Sequence, residues 1–479
     1  MDYFCGVKRK KFTIEDLPVT HYAAEGKSLA RIDGKVIFIE GAVPGDIADV
    51  LITRNKKDWA EGKAVKIKEL SKERVTPFCI HFGVCGGCKW QMLPYEKQLE
   101  YKEQEVKDAF KRIGRLTDAP VLTIIGSEKT IHYRNKLEFT FSNKKYLPED
   151  ELKALGEEEW PGGALGYHVP RLYDKIIDIY ECWLMDDVNN EIRNSIRDYA
   201  KSRDLPYYDI KKHSGWLRNI IIRNCSTGEV MVNLVFGYDD EEERKNICTY
   251  LLEKVPRITT LLYTINPKWN DSIYDLEPKI VSGKGHVIEK LEEYRFKISP
   301  KSFFQTNTAQ AEVLYGIVKD FLNLTNTEII YDLYCGTGSI GIFLSKRAKK
   351  IIGVDVIADA INDAKENAQL NDLHHASFYA GDVIEICNEQ FFDLHGRPNV
   401  IIVDPPRAGL HAKLVNQLME IAPPKIVYVS CNVATQARDL QLLNEKFLVE
   451  KLQPVDMFPH THHIECVALL KLREVRTVS

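Results

Sequence analysis

No run of about eighteen consecutive apolar residues occurs in the 479-residue chain, so no membrane-spanning helix and no membrane partner are expected. The opening MDYFCGVKRK lacks the apolar centre of a secretory signal, and a cytoplasmic location is the expectation. Internal repeats and low-complexity tracts are missing too, which argues against a repeat architecture. Positive charge is not in surplus: 65 Lys and Arg stand against 69 Asp and Glu, a formal charge of −4. The acids are segregated, however. Glu149–Glu151 with Glu157–Glu159, and Asp239–Glu243, carry eleven of them. Set those aside and the remainder is basic, with runs such as KRKK (Lys8–Lys11) and KAVKIKELSKER (Lys63–Arg74). A polyanionic partner is thereby permitted, although each run also reads as a solvated face. Paired CxxC motifs are scarce: of eleven cysteines, Cys85 and Cys88 make the one such pair.

What is present divides the chain into three. Residues 8–70 hold short β-branched runs around the Gly/Pro cluster EGAVPGD, a pattern expected of a small closed β-barrel of oligonucleotide-binding type. Residues 71–298 form a mixed α+β central region. It includes a helix expected from Pro94 to Gly114, with Pro94 in the first turn and Gly114 as C-cap. The stretch LPEDELKALGEEEWPGG reads as a surface insertion within it. Residues 299–479 alternate strand and helix, predicting a Rossmann-like doubly wound parallel sheet. The fold class expected is therefore multidomain, α/β plus β.

Cys79, Cys85 and Cys88 follow a C-x5-C-x2-C spacing in PFCIHFGVCGGCKW. In a large protein of a reducing compartment such a cluster reads as a metal site, iron–sulfur or structural zinc, more readily than as disulfides. The HTHH segment holding His460, His462 and His463 reads as a solvated loop.

The loop DLYCGTGSIG (Asp332–Gly341) carries a GxGxxG spacing between a strand and a helix. Alone it also fits nicotinamide dehydrogenases. Asp355 at the end of the next strand suits ribose hydroxyls, and Gly381-Asp382 suits the exocyclic amine of an adenine. Together these acids point to S-adenosyl-L-methionine. VDPPRAGL then sets Asp404 before two prolines that stiffen the loop, and SCN sets Cys431 at the end of the following strand. A cysteine there is placed to act as a nucleophile, whereas a lone strand cysteine is commonly a small buried hydrophobe.

In this order, FFQTN, DLYCGTGSIG, DPPRAGL, SCN and HIECVALL resemble the RNA uracil-C5 methyltransferase family. The resemblance covers essentially the whole chain. It implies an N-terminal TRAM domain, a structural 4Fe–4S cluster on Cys79, Cys85, Cys88 and Cys182, and no obligate protein partner. It further implies Cys431 as nucleophile, Glu465 as general base, and Gln305, Tyr334, Asp355, Asp382 and Asp404 as cofactor contacts. Phe303 stacks on the base or packs. Members that modify transfer RNA in many bacteria lack both the TRAM domain and the cysteines. The implied substrate is therefore a uridine of 23S, large-subunit ribosomal RNA, with transfer RNA, or two RNA sites, as the alternative. A non-catalytic iron–sulfur RNA-binding protein and a nicotinamide oxidoreductase are the rivals from other classes. The chain departs from the family in its acidic insertion and in having Asp355 where glutamate is common. The chemistry explains the residue types. Carbon 5 of uracil is a weak nucleophile until a thiolate adds at carbon 6, and a base must then remove the carbon 5 proton.

Overall fold

The computed structural model describes residues 12–155 and 162–474; the basic run at 8–11 and the acids at 157–159 lie outside them. At the N-terminal end six strands pair in the order Phe12–Pro18, Ile47–Asn55, Trp59–Glu69, Lys35–Glu40, Ser28–Ile32, His21–Tyr22. Alternate residues of Ile47–Asn55 turn inward, so Ala48, Val50 and Ile52 meet Ile37, Ile39 and Leu17 in one small core. The EGAVPGD turn is pinned by Asp46. Its carboxylate accepts from the Val43 and Ser71 amides (2.7 and 2.9 Å) and from Arg74 Nε (2.8 Å).

The middle of the chain builds a seven-stranded sheet in the order Lys279–Ser282, Thr260–Ile265, Val230–Phe236, Leu217–Asn224, Lys136–Ser142, Ala164–Val169, Leu172–Asp178. Helices Val188–Ser202 and Glu241–Lys254 share its apolar core. The strand runs NIIIRN and EVMVNLVF are buried along almost their whole length, which explains why they carry no polar alternation.

The last third is the doubly wound sheet. Ile329–Leu333, Lys350–Asp355, Ala376–Ala380, Val400–Val403 and Lys425–Ser430 run parallel. Glu465–Leu472 inserts antiparallel between Lys425–Ser430 and the edge strand Phe447–Val455. Counted within the sheet, the order is 3-2-1-4-5-7-6. The switch point lies between the first and fourth strands, where such sheets open a ligand crevice.

Two upstream pieces complete this sheet. Helix Tyr95–Arg112 buries Val106, Ala109 and Phe110 against Ala437 and Leu440. The extended segment 121–125 runs parallel to Phe447–Val455: Leu122 N donates to Leu452 O (2.8 Å), Ile125 N to Pro454 O (3.0 Å), and Asp456 N to Ile125 O (2.8 Å). The helix stops as the sequence indicates, but for a different reason. Arg115, not Gly114, takes the left-handed conformation (φ 52°). Gly114 is required by space, because a Cβ there would lie 2.9 Å from Phe110 O and 3.1 Å from Ala437 O.

The HTHH segment is not solvated. His460 is buried; its amide donates to Gln98 Oε1 (2.8 Å), and its carbonyl accepts from the Lys89 and Trp90 amides (2.8 and 3.1 Å). Burial pushes His460 and His463 down to about 4 and His462 to about 3. The loop is a docking element between the cysteine segment and the final strand. Beneath it, Lys102 Nζ donates to Asp456 Oδ1 (2.7 Å), both side chains being fully buried. Among the described residues no helix is long and apolar enough to cross a membrane.

Candidate active site and cysteine cluster

The carboxyl ends of the parallel strands bring together acids and a thiol. Asp332 is wholly buried, and its Oδ2 accepts from the Gly341 amide (2.9 Å), closing the glycine loop onto its strand. Burial, reinforced by the charges of Asp404 and Asp355, pushes Asp332 up to about 7. Its Oδ1 is buried without a protein partner, a polar atom whose hydrogen-bonding capacity is unused within the chain. Gly336 and Gly338 both have positive φ (53° and 76°), so the loop turns tightly under whatever lies above it. Asp355 shapes the same loop: Oδ2 accepts from Gly336 N (3.0 Å) and Oδ1 from Ile357 N (2.9 Å). Asp382 is exposed and caps a short helix, Oδ1 accepting from Ile384 N (2.8 Å). Tyr334, half-buried, sits at φ 62°, a conformation unusual for a bulky residue and typical of ligand-binding turns.

The thiol and the last acid come from neighbouring strands. Ser430 pairs with Cys466 at the end of the antiparallel ladder; Cys431 and Glu465 are the next residues on the two chains, and the Glu465 charge acts on the Cys431 thiol. Glu465 is buried, and burial together with the Asp404 charge raises it well above the usual carboxylate range, while Arg407 opposes the shift. Burial lifts Asp404 to about 7. Cys431 is pushed up to about 11 by burial and by the Glu465 and Asp404 charges, against which Arg407 supplies charge and a hydrogen bond. The Arg407 carbonyl accepts from Asn432 Nδ2 (3.0 Å) and Thr435 Oγ1 (3.3 Å), which fixes the DPPRAGL loop beside Cys431. Arg407 is the residue that the sequence reading passed over. Its signal was its place in a proline-stiffened loop facing a nucleophile.

FFQTN lies alongside. Gln305 is buried, with its carbonyl accepting from Asn135 Nδ2 (2.9 Å). Asn307 caps helix Thr308–Leu322 and donates to Met457 O (2.9 Å). Phe303 is 67% exposed while Phe304 is buried, so Phe304 does the packing and Phe303 presents its ring to solvent. A hollow of about 970 Å³ along the far edge strand Ala376–Ala380 is lined by none of these site residues.

The family model described as tRNA (uracil-5-)-methyltransferase matches residues 223–473, and that of the TRAM domain matches residues 8–65. The chain belongs to this methyltransferase family. The methyltransferase is 49% identical to an uncharacterized RNA methyltransferase of Bacteroides thetaiotaomicron over 94% of this chain and 100% of that one. It is 46% identical to one of Porphyromonas gingivalis over 95% and 99%. Among solved structures it resembles the Pyrococcus abyssi tRNA (uracil-54, C5)-methyltransferase in complex with S-adenosyl-L-homocysteine. There the TM-score is 0.73 and the identity 28%, covering 95% of this chain and 100% of that one. The chain is thus an S-adenosylmethionine-dependent RNA (uracil-5-)-methyltransferase. That membership sets aside the nicotinamide and non-catalytic readings.

Cys79, Cys85, Cys88 and Cys182 converge although Cys182 stands far along the methyltransferase chain. All four line one cavity of about 30 Å³, with His81 and Tyr167. All are free thiols. Burial and the proximity of the other cysteines push Cys85 and Cys88 up to about 12. The Gly87 amide donates to Cys85 Sγ (3.4 Å). Among the described residues no three His, Cys, Asp or Glu side chains approach closely enough to hold a single metal ion. Four thiols around one small cavity make a soft donor set of the kind that thiolate-bound metal groups use.

Proposed function

We propose that the enzyme methylates carbon 5 of a uridine in large-subunit ribosomal RNA through a covalent adduct, with Cys431 as nucleophile and Glu465 as base. The observation that carries this reading is that the ladder ends on Ser430 and Cys466, which brings the adjoining Cys431 and Glu465 together, with Asp404 and Arg407 in electrostatic reach of both. The Cys431 thiolate bonds to carbon 6 of the uracil, and the ring electrons move to carbon 5. S-adenosylmethionine supplies the methyl group, leaving as the neutral thioether. Glu465 takes the carbon 5 proton, the electron pair re-forms the double bond, and the carbon–sulfur bond to Cys431 breaks. The ionised form of a carboxyl whose pKa burial raises is a strong base for this carbon acid, so Glu465 takes the proton from its carboxylate form. Gln305, Tyr334, Asp355, Asp382 and Asp404 hold the cofactor, Gln305 and Asp404 also reach the target base, and the buried, unpartnered Asp332 Oδ1 is consistent with a ligand at this end of the sheet.

In this reading residues 8–70 form a TRAM barrel, 71–298 a central RNA-binding region and 299–479 the methyltransferase domain, in a cytoplasmic protein. Cys79, Cys85, Cys88 and Cys182 would hold a 4Fe–4S cluster, which would tie the central region together and supply no electron to the reaction. The TRAM match supports an RNA substrate. Transfer RNA is the second reading, favoured by the likeness to the archaeal enzyme, whose target is uracil 54 of tRNA. Mass-spectrometric mapping of 5-methyluridine in ribosomal and transfer RNA, with and without the protein, decides between them. Loss of the mark from tRNA alone rejects the ribosomal assignment, and no change in either rejects the reaction.

A further inference from the structure

Outside the catalytic crevice, the segment at 266–276 presents aromatic rings to water from a tightly held backbone. Trp269 is 78% and Tyr274 67% exposed. An apolar indole left in water at this level is not explained by folding. Single exposed hydrophobics are ordinary, but this one is built upon. Arg218, almost wholly buried, clamps the loop: its guanidinium donates to Asn266 O (2.7 Å), Lys268 O (2.5 Å), Asn270 O (3.0 Å) and Asp271 Oδ1 (2.8 Å). His213 stacks on one face of Trp269, with ring centroids 4.7 Å apart and planes at 6°. The indole is thus held in one orientation with its other face open.

The patch is tied to the segment that leads into Phe303 and Gln305. Lys268 pairs with Asp275, next to Tyr274. Lys301 Nζ donates to Tyr274 O (3.0 Å) and pairs with Asp359 (3.6 Å), at the start of the helix that follows Asp355. Two residues beyond Lys301 stands the exposed Phe303, on a turn fixed by Ser299 and Ser302 hydroxyls donating to Asp363. Three exposed rings therefore stand on backbone held by these contacts, with Lys268 and Lys301 ion-paired beside them.

We infer that Trp269 and Tyr274 are a stacking platform for unpaired RNA bases flanking the target uridine, continuing outward from Phe303. The inference rests on the RNA-methyltransferase reading above. Single-stranded RNA is gripped by aromatic faces on which bases stack, with cations following the backbone. A pre-oriented indole with one free face suits that task because little side-chain freedom remains to be lost. A uridine leaving its helix to reach Cys431 also frees its neighbours from their stack, and the platform gives them a surface.

The test uses the full chain with Trp269→Ala, Trp269→Phe and Tyr274→Ala. In vitro transcripts of large-subunit ribosomal RNA and of tRNA serve as probes. Binding is read by fluorescence anisotropy, and methyl transfer by label from the cofactor. For the transcript that the wild type binds more tightly, Trp269→Ala weakens binding roughly 5- to 150-fold, the range for one lost stacking contact. Trp269→Phe stays near the wild type. The slope of log affinity against log salt is unchanged, since no phosphate contact is lost. S-adenosylhomocysteine binding stays at the wild-type level and reports the intact fold. Equal affinity of Trp269→Ala and wild type overturns the platform. So does a changed oligomeric state with RNA affinity retained, which assigns the patch to a protein contact. If the wild type labels neither transcript, the reaction reading fails, and the binding series still decides the platform.

Discussion

Replacing Arg407 with Gln removes a cation that faces both Cys431 and Glu465 while keeping much of the side-chain volume. With the Cys431 thiol at about 11, roughly one in a thousand is ionised at pH 8. Arg407 opposes that shift by charge and by a hydrogen bond to the sulfur. A hydrogen bond to a charged group contributes about 1.5–3 kcal/mol, which corresponds to about 1–2 pKa units. In Arg407→Gln the thiolate pool at fixed pH below the pKa then falls ~10- to 100-fold. A more basic thiolate is also a better nucleophile, with a Brønsted slope of about 0.5, so ~3- to 10-fold is recovered. The net expectation is adduct formation at saturating RNA slowed ~3- to 10-fold across the range below the thiol pKa. The assay uses RNA containing 5-fluorouridine, whose carbon 5 carries no proton for a base to remove, so the adduct with Cys431 accumulates. Its formation is followed by denaturing electrophoresis between pH 6 and 10, with Arg407→Lys expected between the other two. A slower reaction that saturating RNA restores to the wild-type rate would refute the reasoning and assign Arg407 to substrate binding. An unchanged rate would refute any role beside the thiol.

Cys431→Ala is expected to give neither product nor adduct, whereas Glu465→Gln accumulates RNA joined to Cys431 with the methyl group already on carbon 5; Glu465→Gln turnover at the wild-type rate means another residue is the base. Glu465→Gln is also expected to raise thermal stability at pH 8. The folded state holds the Glu465 proton more tightly than the unfolded chain, so this group's contribution to stability falls as pH rises above the ordinary carboxylate pKa; equal gains at pH 4 and pH 8 would contradict that sign. Anaerobic purification should yield a brown protein with about four irons per chain, and a colourless protein carrying one zinc would reject the cluster. Lys102→Met leaves the buried Asp456 carboxylate without its cation and should cost about 3–5 kcal/mol. The double variant Lys102→Met/Asp456→Asn should lose less than Lys102→Met, as read from urea denaturation; additive losses would mean that the pair is not coupled.

The parts of the molecule legible in the sequence are those fixed by local pattern. The alternation of apolar runs with helical periods after residue 299 yields the parallel sheet, and the acids at strand ends mark its crevice, because both signals lie within a few residues of the structure they specify. The parts that were missed depend on partners far along the chain. The HTHH segment reads as polar and solvated until Lys89, Trp90 and Gln98 close over it. Gly114 reads as a cap because its real constraint, the Ala437 carbonyl, comes from another helix. Arg407 was visible in DPPRAGL, but its effect needs the fold to set Cys431 and Glu465 against it. Asp382 shows the limit of assigning one role to one acid, since its carboxylate caps a helix whatever else it binds.

The segment at 121–125, laid along Phe447–Val455, bears on how this enzyme can be cut apart. An uncovered strand edge is a template for pairing with other chains. The methyltransferase third therefore borrows its margin from residues that precede the entire central sheet, and its apolar flank from helix Tyr95–Arg112. A fragment beginning near residue 299 would carry every motif of the reaction yet expose a sticky border and a bare apolar face. The catalytic portion is not a detachable cassette. Transplanting it, or joining it to another RNA-binding module, requires carrying residues 95–125 along.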